Sequence, residues 1–88
     1  MKANDDFILR TIYGKHILFP IRKNDISSDP IMFNDIAAYM WTLINEKYDR
    51  NELLREISVR YSLEDNSEEL TVVEEFLNKM ININLIYE

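Results

Sequence analysis

Few side chains in this sequence are able to do acid–base or metal chemistry. There is one histidine, His16, no cysteine, and sixteen carboxylates. A zinc site or a nucleophilic triad needs several such groups at fixed spacing. No HExxH, CxxC or GxSxG pattern occurs. His16 falls in an alternating apolar stretch and reads as an ordinary strand residue. Glu52, Glu56, Glu64, Glu68, Glu69, Glu74 and Glu75 fall mostly on polar helix faces or in a loop, where solvation explains charge. A catalytic carboxylate also needs a cleft, and 88 residues leave little volume for one. The expectation is a chain with no catalysis, no metal and no cofactor of its own.

What remains to carry function is apolar surface and backbone. At 100° per residue, a third helix opening at a Ser67 cap and ending near Asn82 has more apolar surface than a narrow stripe. Leu70, Val73, Leu77, Met80 and Ile81 cover its core-facing side. Val72, Phe76 and Ile83 widen the arc to about half the cylinder, and Lys79 borders them. Two readings stay open here: the surplus packs under the N-terminal hairpin, or Val72, Phe76 and Lys79 line an apolar groove.

The elements that position this helix are legible in order. Phe7 to Tyr13 alternates, Gly14 supplies the turn, and His16 to Ile21 returns as a second strand, with Pro20 at its end where no ladder donor is needed. A polar loop spans Arg22 to Asp29. Pro30 precedes a short third strand, Ile31-Met32-Phe33. Asn34 is a strong helix N-cap and Asp35 suits the first turn, so a helix is expected from Asp35 to about Glu46. Its stripe is Ile36, Ala37, Met40, Leu43 and Ile44, with Trp41 beside it as a core aromatic. Asp49-Arg50-Asn51-Glu52 has capping-box spacing before a second helix carrying Leu53, Leu54, Ile57 and Tyr61. Leu85-Ile86-Tyr87 reads as a final extended tail, and residues 1–6 as a flexible one. The fold expected is a single α+β domain over residues 1–88: a three-stranded antiparallel sheet followed by three helices, βββααα.

These residues carry a resemblance. The extended Ile31–Phe33, then Asn34, Ala37 and Trp41, together with Pro20, the acidic turn before Leu53-Leu54 and the Val73–Phe76–Leu77 spacing, resemble the PqqD family, also called RiPP recognition elements. The likeness covers roughly residues 7 to 87. It implies a winged-helix-like arrangement and a non-catalytic, peptide-binding role. In this role a precursor peptide's leader adds as a strand along Ile31, Met32 and Phe33, flanked by Val72, Val73, Phe76, Lys79 and Met80. The leader is thereby presented to a separate modifying enzyme, often a radical SAM enzyme. The turn Lys47-Tyr48-Asp49 lacks the glycine often found in that family.

Charge and hydropathy narrow the alternatives. The net charge is −6, and the acids concentrate from Glu46 to Glu75. Phosphate-backbone binding needs clustered cations; the bases here are scattered apart from Arg10, Lys15, His16, Arg22 and Lys23. A winged-helix nucleic-acid binder would use Arg50, Arg55 and Arg60 of the second helix, but these are interleaved with Glu52 and Glu56, so no nucleic-acid partner is expected. A third reading is a regulatory or interaction subunit, or a homodimer, using the same groove. The N-terminus has no apolar signal-peptide core and no apolar run reaches membrane-spanning length. Together with the absence of cysteine, this makes a cytoplasmic protein with no membrane association the expectation.

Overall fold

A computed structural model describes residues 1–21 and 29–88. Among the described residues, five strands and three helices follow one another: β1 Lys2–Ala3, β2 Phe7–Ile12, β3 Lys15–Pro20, β4 Ile31–Phe33, α1 Asp35–Asn45, α2 Arg50–Arg60, α3 Glu68–Asn82 and β5 Ile86–Tyr87. The main body is the expected α+β arrangement, with β2, β3 and β4 forming an antiparallel sheet in that order. Of the loop expected from Arg22 to Asp29, residues 22–28 lie outside the described residues.

The β2–β3 hairpin turns on two residues. Tyr13 and Gly14 both have positive φ, 50° and 75°, between the paired Ile12 and Lys15. That is the geometry whose twist matches the flanking strands, and it requires φ > 0 at both central positions. Pro20 ends β3 opposite Phe7. From there β3 pairs with β4 through His16–Phe33, Ile17–Met32 and Leu18–Ile31.

All three helix starts are capped by the residues whose side chains suit that task. The Asn34 side chain accepts from the Ala37 N–H at 2.8 Å, and Ser67 Oγ accepts from Leu70 N–H at 3.2 Å. Asp49 and Glu52 form a full capping box, with bonds of 2.8 and 3.2 Å. The Glu52 backbone N–H, foremost, holds the Asp49 carboxyl below the usual carboxylate range.

The helix ends share one solution too. In each, the residue after the C-cap is left-handed: Lys47 (φ 69°), Ser62 (φ 55°) and Asn84 (φ 64°). The N–H groups of Lys47 and Tyr48 reach Ile44 and Leu43 carbonyls, those of Ser62 and Leu63 reach Val59 and Ser58, and those of Asn84 and Leu85 reach Ile81 and Met80. This paired pattern satisfies carbonyls that a helix end otherwise leaves open. Lys47 therefore takes the position that glycine fills most easily.

The two ends of the chain meet, which corrects the expectation of a flexible tail over residues 1–6. β1 pairs antiparallel with β5, Lys2 with Tyr87 and Ala3 with Ile86. Asn4 donates its N–H to Leu85 O at 2.9 Å and its side-chain amide to Asn84 O at 2.8 Å. Ala3 is buried beneath α1 and Ile86 is wholly inside. The polar look of the segment hid a small residue fitted to a close approach. The core is one cluster, with Leu18 of β3, Met40 and Ile44 of α1, Leu53 and Ile57 of α2, Leu77 and Met80 of α3 and Ile86 of β5 at its centre. Among the described residues, no helix is long and apolar enough to cross a membrane.

The left-handed ends give a test. Lys47→Gly should raise unfolding stability by about 0.5–1 kcal/mol, because removal of the Cβ clash outweighs the added chain entropy. Urea denaturation of the two proteins measures the difference.

Candidate functional site

Phe33 is the hinge of the site. It is the last residue of β4 and is 7% exposed. Its ring meets Trp41 of α1 edge-on at 6.1 Å and Phe76 of α3 edge-on at 5.9 Å. Such pairs add to area burial, and here they tie strand, first helix and last helix together. Trp41 is 2% exposed, so it is a core anchor, as expected.

Outside this aromatic trio lies a groove of about 390 Å³. β4 supplies Met32 and Phe33, α1 supplies Ile36, Ala37 and Met40 after the Asn34 cap, and α3 supplies Glu69, Val72, Val73 and Phe76. The α3 residues sit at i, i+3, i+4 and i+7, one face of a helix. Ala37, Met40 and Val73 are buried and form the floor, whereas Met32 at 65% and Val72 at 62% exposure are its open walls. Large apolar side chains held in water beside a concavity form a contiguous exposed apolar surface here.

β4 has a second free property. It is hydrogen-bonded to β3 on one side, and among the described residues no strand pairs with its other edge. Alternate residues of an antiparallel strand turn their N–H and C=O groups away from the partner strand, so this edge offers unpaired backbone groups.

Of the residues expected at the site, Met32, Phe33, Val72, Val73 and Phe76 are brought together around the groove. Ile31 is half-buried at the strand's start and outside the lining. Met80 is 1% exposed and belongs to the core, because it continues the buried Val73–Leu77 stripe. Lys79 is exposed on the same side of α3 as Val72 but lies past Phe76, where the lining stops. Ile36, Ala37, Met40 and Glu69 were missed as site residues. The first three carry the same helical stripe as the core, and Glu69 looked like one more solvated acid.

The polar alternatives resolve into structural ties. His16 Nδ1 is 2.8 Å from Thr11 Oγ1, and Nε2 is 2.8 Å from Asp35 Oδ1. Hydroxyl, imidazole and carboxylate follow one another as in a triad, yet the triad carboxylate is buried and Asp35 is 85% exposed. These contacts fasten the hairpin to the start of α1. On α2, the Arg60 guanidinium lies 4.7 Å from the centre of the Tyr39 ring. The Tyr39 phenol donates to Glu56 at 3.3 Å, and partial burial, then the Glu56 charge, raises its pKa above the ordinary value. Arg50 bonds Asn78 at 2.7 Å and Glu88 at 3.3 Å. Two of the three arginines that a nucleic-acid reading would need are thus engaged within the chain. Among the described residues, no group of three or more His, Asp or Glu side chains is arranged to hold a metal ion.

Compared with family models, with curated proteins and with solved structures, the chain matches none.

Anchor and groove should separate by mutation. Trp41→Ala should cost about 3–5 kcal/mol of stability, as for other buried aromatics. Val72→Ser, at an exposed position, should change it by no more than about 0.5 kcal/mol. Thermal melts followed by circular dichroism measure both.

Proposed function

We propose that this protein binds an extended peptide by adding it as a strand to the free edge of β4, with the peptide's apolar side chains seated in the groove against α3. The observation that carries the reading is the conjunction at β4: an unpaired strand edge beside exposed apolar walls, Met32 and Val72.

The energetics require both parts. The three-residue β4 turns at most two of its residues outward, so an added strand gains roughly two to four hydrogen bonds there, worth about 1 kcal/mol net each. Lost translational freedom and peptide ordering cost at least as much. Backbone pairing alone therefore binds weakly and reads no sequence. Two or three apolar side chains placed in the groove, at about 1.5–3 kcal/mol each, supply affinity and selectivity.

The resemblance to the PqqD family gives the peptide a biological identity within this proposal. It is the leader of a ribosomally made precursor, presented to a modifying enzyme such as a radical SAM enzyme in the cytoplasm. The protein itself performs no catalysis.

The test is titration of short peptides encoded beside this chain's gene, with folding checked by circular dichroism. Met32→Asp and Val72→Asp should fold normally, since both positions are exposed in the free protein, and should lose binding. A carboxylate in either wall would be desolvated under the peptide at a cost of several kcal/mol. Phe76→Asp should lose binding and stability together, because Phe76 also packs on Phe33. Unchanged binding by folded Met32→Asp and Val72→Asp proteins contradicts the site.

A further inference from the structure

The groove is apolar except for Asn34, whose side chain caps α1, and Glu69, its one charged residue. Glu69, in the first turn of α3, is exposed and lines it, and its carboxylate has no hydrogen bond or ion pair among the described residues. We infer that the peptide this groove accepts carries two apolar side chains, one residue apart, with a lysine or arginine two residues beyond the pair, at the end that meets Glu69. The inference rests on the strand-addition reading and specifies its ligand.

The spacing follows from helix and strand geometry. Phe76 and Val72 are four residues apart on α3, a rise of about 6 Å. Two residues of an extended strand advance about 6.7 Å, so side chains i and i+2 of a peptide lying along α3 match the Phe76 and Val72 positions. Glu69 is a further ~4.5 Å along the helix. The next same-face residue of the strand, i+4, falls within reach of it when its side chain is long. A positive charge at i+4 is the one that Glu69 attracts. An acid there would face Glu69, and Glu68 beside it, within a protein of net charge −6. The opposite end of this side of α3 carries Lys79, so the cation belongs at the Glu69 end.

The same charges argue against a second copy of the chain as the occupant. Its free edge strand, Ile31-Met32-Phe33, runs directly into Asn34 and Asp35. Seating β4 of one copy in the groove of another would bring a carboxylate, not a cation, to the end of the apolar pair.

The experiment is selection from a random-sequence peptide display library, at low salt, against immobilised full-length wild type, Glu69→Lys and Met32→Asp. Wild type should enrich apolar-x-apolar-x-basic sequences in one chain direction, and Glu69→Lys should enrich the same apolar pair followed by an acid. Replacing the base of a selected synthetic peptide by glutamate should weaken wild-type binding about fivefold or more, an effect that shrinks as salt screens it. Enrichment of apolar pairs with no charge preference, or no change of preference in Glu69→Lys, overturns the cation while leaving the groove standing. Enrichment unaffected by Met32→Asp, or no enrichment by wild type, overturns the peptide groove itself. A wild-type dimer by sedimentation that Met32→Asp dissociates assigns the groove to a second copy and overturns both.

Discussion

Phe33 ends a strand of three residues, too short to be stable through its own ladder bonds, and its ring is clasped edge-on by Trp41 and Phe76. That clasp fixes where β4 lies relative to α1 and α3. The next residue, Asn34, turns the chain from strand into helix by closing the first turn of α1 with its own side chain. Strand direction and helix direction are therefore set within two residues. Everything the groove needs follows from this joint. β4 stays at the sheet edge, α3 stays beside it, and Met32, between two residues directed elsewhere, is left in the open wall.

The other described elements hold the joint without pairing with the free edge of β4. The hairpin is fastened to the start of α1 through Thr11, His16 and Asp35, and α2 is fastened to α1 through Tyr39, Glu56, Arg60 and Tyr61. The terminal strands β1 and β5 close the far side, where Asn4 reads the carbonyls after α3. Each is a modest, partly exposed interaction, and none needs a buried charge: the core contains no buried polar or charged residue among those described. Among the described residues, this arrangement keeps the β4 edge and the apolar concavity beside it open.

Much of this was legible in the residues. Asn34, Asp49 and Ser67 announce the helix starts because their side chains have a single local task, and Gly14 announces the hairpin because only a turn there needs positive φ. The pairing of β1 with β5 was hidden, since two-residue strands carry no periodicity and Ala3 is inconspicuous. The left-handed Lys47 and Ser62 were hidden for a related reason. Neither residue advertises φ > 0; the hydrogen bonds at the helix end impose it. On α3 the wide apolar arc left packing and groove open as alternatives, and Val72 and Phe76 lie in the groove lining. The arc alone did not separate walls from floor, so Met80 seemed available when it is packed under Leu77's turn. Glu69 was overlooked because an acid in a first helical turn already has an explanation in the helix dipole. Only the third dimension shows that it also ends the groove.

The claim at the centre of this account is that β4 accepts a further strand. The most direct measurement is amide hydrogen exchange, read residue by residue by nuclear magnetic resonance, with and without a peptide that the protein binds. The account predicts that slowed exchange on binding concentrates at the amides of Ile31 to Phe33 that point away from β3, accompanied by side-chain shifts of Met32 and Val72. Binding that leaves those amides exchanging as in the free protein, with protection elsewhere or nowhere, would contradict it.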